Sequence, residues 1–344
     1  MRPFVDSTEI AGNGEVLRQR LAADGYLFLR GLLPRAAVME VRQQLLELAA
    51  AGGWLKPGAP PAAGLANPAA ACKDPEEAYL AVFRGMWVNE DLHKLKRHPA
   101  LMGLFQRLFG EPVLAHPLLV LRNIFPARDG FDFTTRPHQD RIHIGGATSH
   151  AAWMPLGDCA RTKGALAVAA GSHRDGVRDF AIGTAAGGLE TVGDFTERWV
   201  TGDFQAGDVL IFADTAVHQA LPNRSDELRQ SFDCRYQPAS QPISDLSLRS
   251  YADMFTWDEV YRGWKDNAEQ YYWLRQQPKV VPYDTSYYEK RDAIAYAMAE
   301  RGEAAARDTL LRIVQRDQNP AKRNRASQLL RGLEAEAGRS AGDR

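Results

Sequence analysis

Between residues 14 and 51, apolar positions recur about every 3.6 residues on either side of a short alternating run. "EVLRQRLAADG" predicts a helix closed at Gly25, "YLFLRG" a strand, and "LPRAAVMEVRQQLLELAAAGG" a second helix. "LKPGAPPAAGLANPAAA" (55–71) has no packing signature and predicts a loop of the kind that borders an active-site mouth. Helical spacing returns over 77–109, where "HPALMGLFQRLFG" is closed by Gly110. From about residue 112 the pattern changes to short apolar runs broken by turn signals: 117–125, 150–158, 164–170, 207–214 and 229–238. "GSHRDG" and "GTAAGG" read as turns. Short strands with long irregular connections predict an antiparallel barrel or jelly roll rather than βαβ repeats. Past about residue 250 the chain becomes helical and aromatic, then charged and amphipathic from 289, and the closing "EAEAGRSAGDR" is expected to fray.

Composition narrows the class. Hydrophobic residues at 45% and charged residues at 25% suit a globular chain with a sizeable core. A formal net charge of −1 gives no overall pull toward nucleic acid or anionic lipid. Cys72, Cys159 and Cys234 are far apart and form no CxxC, which predicts reduced thiols in a cytoplasmic protein. The first residues lack a secretory h-region, and no run of 18 apolar residues occurs. The expected partner is a small molecule, with no nucleic acid and no membrane, bound by a monomer or homodimer.

The stretch "TTRPHQDRIHIGG" (134–146) holds the candidate chemistry. On a strand, His138 and Asp140 project to one face while Gln139 points away. Imidazole and carboxylate side by side supply two members of a 2-His-1-carboxylate facial triad, which suits non-haem Fe(II) oxygen chemistry. The alternative is a His–Asp pair that only stabilises a strand end. A second histidine is available at His218, after the apolar run "DVLIF" and hence at a barrel rim. Eleven residues on, Arg229 opens the next strand, where its guanidinium fork suits a dicarboxylate, and Ser231 shares its face. For Arg229 the alternative is an ion pair with Asp226 or Glu227. A second HxD, His173-Arg174-Asp175, lies in "AAGSHRDGV", where glycines mark a tight turn and strand alternation fails.

The runs "LRNIFPARDGFDFTTRPHQDRIH", "HAAWMPLGDCARTKGALAVAAGSHRDGV" and "GDFQAGDVLIFADTAVHQALPNRSDELRQSF" together resemble the phytanoyl-CoA dioxygenase-like (PhyH) family of Fe(II)/2-oxoglutarate oxygenases. The resemblance covers roughly 15–238. It implies an α+β, β-rich double-stranded β-helix (a jelly-roll, cupin-like barrel) flanked by N- and C-terminal helices. As one oxygenase domain over 1–344, the chain would hold a helical flank with one strand (1–111), a barrel core (112–240) and a helical extension (241–344). The resemblance makes His138, Asp140 and His218 the iron ligands and Arg229 the grip on the distal carboxylate of 2-oxoglutarate. Asn223 and Ser225 match the family's "H…N.S" stretch, and Trp153 and Gly171-Ser172-His173 match its "aW.pL" and "GSH" landmarks. Lys163-Gly164-Ala165-Leu166 replaces the usual "NG.L". Arg122 stands where the family often has lysine or glutamine, and so joins Arg229, Ser231 and Asn223 as a candidate cosubstrate residue. Asp140 is present where halogenating relatives carry a small residue, which argues against halogenation.

The resemblance implies Fe(II), 2-oxoglutarate and O2, with 2-oxoglutarate decarboxylation coupled to oxidation of an unactivated C–H bond, releasing succinate and CO2. Candidate substrate contacts are Trp153, Arg141, His143 and His173; Arg122, Arg136, Arg141 and His143 together hint at a polar or anionic metabolite. Desaturation, cyclisation or an acyl-CoA substrate would use the same ligands, and a non-oxidative cupin-like isomerase or binding protein is the rival of another class. His93, His98, His116 and His150 read as structural or surface residues. Trp257, Tyr261, Trp264, Tyr271, Tyr272 and Trp273 read as core packing, with a substrate lid as the alternative.

Overall fold

The computed structural model describes residues 1–128, 134–145, 148–183 and 186–342. The chain divides into two compact units: Met1–Thr134, Gln139–Val177 and Phe195–Tyr283 form the first, and Thr135–His138, Arg178–Asp194 and Asp284–Arg344 the second.

The first unit opens with β1 (Arg2–Pro3), α1 (Gly14–Asp24), β2 (Tyr26–Leu29), α2 (Arg35–Ala51), α3 (Glu77–Trp87), α4 (Glu90–Leu95) and α5 (Pro99–Phe109). Local chemistry sets the ends of these helices. The Asn13 side chain accepts from the N–H groups of Glu15 and Val16 to cap α1, and Gly25 at φ 80 closes it. Pro99 starts α5 and Gly110 ends it in the left-handed region. The strands follow: β3 (Val113–Ile124), then the four-residue helix α6 (Arg141–Ile144), β4 (His150–Pro155) and β5 (Leu166–Ala169). After β6 (Phe180–Ile182) and β7 (Leu189–Thr191), a hairpin of the second unit, come β8 (Trp199–Thr201), β9 (Val209–Ala213), β10 (His218–Ala220), β11 (Arg229–Pro238) and β12 (Ile243–Ser244). Short helices α7 (Trp257–Tyr261) and α8 (Tyr272–Arg275) and strand β13 (Val280–Val281) complete the unit.

The strands make a mixed α+β architecture with antiparallel sheets. A five-stranded sheet has the order β2-β9-β4-β11-β3 and is antiparallel throughout; a four-stranded sheet has the order β1-β8-β5-β10. Period-2 alternation gives the larger sheet two different faces. Leu27 and Leu29, Ala152 and Met154, Val209 and Ile211, and Phe232, Cys234 and Tyr236 pack in one core with the helices α1–α5. Their neighbours Tyr26 and Phe28, Ala151 and Trp153, and Leu210 and Phe212 join Leu166, Val168, Val200 and Ala220 of the smaller sheet in a second core. On β11 alone the second face is polar: Arg229, Ser231, Asp233 and Arg235, all buried. On α5, Leu101, Leu104, Phe105 and Leu108 are buried against the first core, each worth about 1.5–3 kcal/mol.

The second unit packs α9 (Ser286–Glu300), α10 (Arg307–Arg316) and α11 (Pro320–Gly342) around Ala295, Tyr296, Leu310 and Ile313. Arg291 donates to the carbonyl of Gly187 beside the β6–β7 hairpin, and Thr191 N–H donates to the carbonyl of Pro137 at 2.8 Å.

Several expectations are corrected. His138 and Asp140 are not on a strand: Asp140 is the N-terminal boundary of α6 at φ −71, ψ −27, and Arg141 and His143 lie within that helix. His218 does not end the "DVLIF" strand; the chain turns at 214–217, and His218 opens β10 in the other sheet. The terminal segment expected to fray is helical to Gly342, with residues 343 and 344 outside the described residues. Residues 184 and 185 of "GTAAGG" and Gly146 of "TTRPHQDRIHIGG" also lie outside them, while Gly145 stands at φ 61 after α6. The aromatic run is core. Trp273 is buried, Tyr272 Oη donates to Ala115 O at 2.9 Å, and Trp264 Nε1 donates to Val88 O at 3.0 Å.

Candidate metal centre and cosubstrate site

His138, Asp140 and His218 are all buried, and each offers one ligand atom such that these atoms lie within 4.8 Å of one another. Each imidazole is oriented from its own backbone. Nδ1 of His138 sits 2.9 Å from Arg136 O, and Nδ1 of His218 sits 3.1 Å from Ala216 O. A carbonyl can only accept, so Nδ1 carries the proton in both rings and the lone pair is at Nε2. That is the tautomer and the outer hydrogen bond a metal-ligating histidine uses. His218 Nε2 lies 3.8 Å from Asp140 Oδ1, while Asp140 Oδ2 accepts from Arg235 Nη2 at 2.7 Å. Burial pushes the His218 pKa below its ordinary value, although Asp140 pulls the other way, and the neutral ring is the ligating form. Two neutral imidazoles and one carboxylate, gathered without a fourth protein ligand among the described residues, fit a divalent iron with open positions.

Three further contacts set this spacing. Gln139 turns away from the cluster, and its Nε2 donates to Gly176 O at 2.8 Å and Thr215 O at 2.6 Å. Ser172 Oγ accepts from Val217 N–H at 2.9 Å, immediately before His218. The "GSH" landmark thus braces a ligand through its serine. His173 is directed elsewhere: Nε2 meets Ala22 O at 3.0 Å at the end of α1, which removes it from the candidate substrate contacts.

Arg229 is 2% exposed, and among the described residues no carboxylate forms an ion pair with it. Its Nη1 donates to Ser231 Oγ at 2.6 Å, its Nε has no hydrogen-bond partner, and its guanidinium lies 6.0 Å from the Trp153 ring. Burial pulls its pKa down to about 10, so it is still a cation at neutral pH. A buried guanidinium with only a neutral partner is costly unless an anion completes it. The alternative, an ion pair with Asp226 or Glu227, is not found among the described residues; Glu227 pairs with Arg42 and Lys163. Arg122 stands directly opposite Ser231 across the β3–β11 ladder, on the same face. Burial opposes its charge, but Tyr251, Asp233, Asp74 and Tyr79 around it hold its pKa up.

Other candidates have structural employment. Asn223 Nδ2 donates to Ile124 O and Glu227 O, and Oδ1 accepts from Ser225 N–H and Oγ, so this side chain shapes the turn before β11. Arg141 Nη2 donates to Asp214 Oδ1 at 3.0 Å and Thr148 Oγ1 at 3.1 Å. His143 is half-buried in α6. His93, His116 and His150 are structural: burial drives all three pKa values down, His116 to about 3 and His150 to about 4. Sequence reasoning missed Asp233 and Arg235. The signal was present, because alternate positions of "RQSFDCR" read Arg, Ser, Asp, Arg.

The described residues contain no helix long and apolar enough to cross a membrane. A sequence profile of the phytanoyl-CoA dioxygenase family matches residues 21–231. The chain is 30% identical over 272 residues to a 1-deoxypentalenic acid 11-beta-hydroxylase of Streptomyces arenae, spanning 74% of this chain and 90% of the relative. A protein of the same description from Streptomyces exfoliatus is 31% identical over 275 residues, with the same coverage of each chain. Among solved structures, the epimerase SnoN in complex with Fe3+, alpha ketoglutarate and nogalamycin RO superposes with a TM-score of 0.49 at 22% identity, covering 67% of this chain and 85% of SnoN. With a family match over more than half its length, the chain belongs to the phytanoyl-CoA dioxygenase family and is a 2-oxoglutarate-dependent non-haem iron oxygenase.

Proposed function

We propose that this oxygenase hydroxylates an unactivated C–H bond of a small polar or anionic metabolite of secondary metabolism. The observation that carries the reading is Arg229, a buried cation with no carboxylate partner among the described residues, on the same face of β11 as Arg235, which donates to Asp140. Its fork and Ser231 Oγ suit the distal carboxylate of 2-oxoglutarate, with Arg122 opposite as a second cation. The two Streptomyces relatives are named for hydroxylating an acid, which supports a carboxylate-bearing substrate over an acyl-CoA thioester. Membership of an oxygenase family sets aside the non-oxidative cupin-like alternative. We read the two sheets around their shared core as the double-stranded β-helix.

In this mechanism His138, Asp140 and His218 would hold Fe(II). Iron held there would let O2 act as the oxidant, one oxygen atom passing to succinate as 2-oxoglutarate loses CO2 and the other to the substrate. The chain's share is orientation and exclusion of water. Arg229 and Ser231 would hold one end of the cosubstrate and so limit the poses open to its other end. Trp153, Phe204, Phe212 and Leu210 wall the interior with apolar surface. All these residues come from one chain, so the catalytic unit is the same in a monomer or a homodimer. Buried free Cys72, Cys159 and Cys234 agree with a cytoplasmic setting.

The test is anaerobic titration with Fe(II) and 2-oxoglutarate, followed by O2-dependent succinate release with small acids and with CoA thioesters. A visible charge-transfer band in wild type is expected. Arg229→Ala should raise the 2-oxoglutarate requirement roughly 30-fold or more, as befits loss of a buried charge partner, and leave bare metal binding intact. A band that forms equally well in Arg229→Ala removes the assignment, and turnover of CoA thioesters alone removes the substrate class.

A further inference from the structure

The interior face of β11 carries an arginine at each end of its polar stripe, and the two are treated differently. Among the described residues, Arg229 has Ser231 Oγ as its hydrogen-bond partner. Arg235 is shared between two carboxylates: Nη2 donates to Asp140 Oδ2 at 2.7 Å, and Nη1 pairs with Asp233. Asp233 and Arg235 are two positions apart on one strand and so share a face, whereas Asp140 arrives from 95 residues earlier. All three are buried.

We infer that Arg235, seated by Asp233, is a positioning residue that restricts Asp140 to binding the metal through Oδ1 alone. The inference rests on the facial-triad reading above. A carboxylate can offer a metal one oxygen or two. Here Oδ2 is held by a charge-assisted hydrogen bond, and the oxygen left toward His218 Nε2 is Oδ1, at 3.8 Å. Binding through both oxygens would fill a position that 2-oxoglutarate and O2 need, since a facial triad functions by leaving three positions open. Asp233 has its own part. One guanidinium between two carboxylates leaves a net negative charge, so Asp140 keeps its donor strength while its rotation is stopped. A lone arginine on Asp140 would neutralise the ligand it orients. The planar fork of arginine bonds both partners at fixed angles, which a lysine ammonium does not reproduce.

The experiment measures Co(II) and Fe(II) affinity, the absorption spectrum of the Co(II) protein, and the anaerobic 2-oxoglutarate titration. It compares wild type with Arg235→Leu, Arg235→Lys and Asp233→Asn, each checked for folding by circular dichroism. Arg235→Leu should lower metal affinity by about 10–100-fold, the usual cost of losing an outer partner of a ligand. Its Co(II) spectrum should weaken, as a higher coordination number requires, and more 2-oxoglutarate should be needed to form the charge-transfer band. Asp233→Asn should move both readouts the same way by less, and Arg235→Lys should recover part of the loss. If Arg235→Leu does not fold, the other two variants decide. Wild-type affinity and spectrum in any folded Asp233→Asn and Arg235→Lys pair overturn the inference. The two readings fail separately: absence of the band in wild type removes the triad assignment, whereas a normal band in wild type and variants alike removes only the role of Arg235.

Discussion

The chain contains the pattern His-x-Asp twice, and the two copies share composition but little else. His138 and Asp140 meet His218 in a buried cluster, each imidazole turned by a carbonyl behind it. His173 and Asp175 sit on a 3-10 turn between Gly171 and Gly176, both at positive φ. There His173 Nε2 meets Ala22 O and Asp175 pairs with Arg198, so both side chains secure neighbouring backbone and loop. What separates the copies is what stands across from them. A third donor, His218 on β10, joins the first copy in a cluster able to hold a metal, whereas a helix end makes the second a tether. The second copy also serves the first, since Ser172 beside it holds the N–H that precedes His218.

The largest effect that could break this contrast comes from removing its key residues. His218→Ala should abolish O2-dependent succinate release and lower Fe(II) affinity by more than the roughly 10–100-fold that loss of an outer partner costs. His173→Ala should leave both near wild type. Equal losses in isothermal titration and turnover would erase the distinction. Acid probes the same theme through a histidine that is neither ligand nor tether. Burial holds His116 at about 3 against an ordinary 6.5. The unfolded chain therefore takes up a proton that the folded chain refuses as pH falls below 6.5. Stability is full above that pH and is lost at about 1.4 kcal/mol per unit on the way toward 3. Denaturant midpoints at pH 7 and pH 5 should reveal a slope that His116→Gln makes shallower; an unchanged slope counts against the assignment. The smallest expected effect is Ser172→Ala. Loss of its hydrogen bond should cost about 1 kcal/mol in unfolding free energy and reduce metal affinity measurably. A stability loss with unaltered affinity would confine Ser172 to the turn.

Local pattern was enough to place much of this. The strand over Arg229–Pro238 has the bounds that "RQSFDCRYQP" suggested, and α1 and α5 close at the glycines that sequence marks. The three residues that gather were legible too, because a His-x-Asp pair followed by a distant His218 and Arg229 resembles the family pattern. Their local setting was not. Strand alternation was invoked for His138 and Asp140, yet a turn into α6 presents them, and residue spacing cannot distinguish those two ways of placing i and i+2 together. The sequence offers Arg141 as a substrate contact, and it cannot show that Nη2 donates to Asp214, 73 residues away. The alternation of "RQSFDCR" marks Arg235 as part of a polar face, but its partner Asp140 is known only from the fold. Ion pairs of this kind are closed by tertiary topology, and no periodic signal in the chain encodes them.

Gln139 has a consequence of its own. Its amide nitrogen grips one carbonyl at Gly176 and another at Thr215, three residues before His218, while its neighbours in sequence on both sides belong to the gathered cluster. One side chain thereby crosslinks distant parts of the chain without touching the ion. The entropy of bringing these segments together is lost on folding, before any metal arrives. Loading such a centre is closer to fitting a bearing into a finished housing than to the metal-driven folding of a zinc finger. A metal held by His138, Asp140 and His218 would then load and leave without the chain refolding.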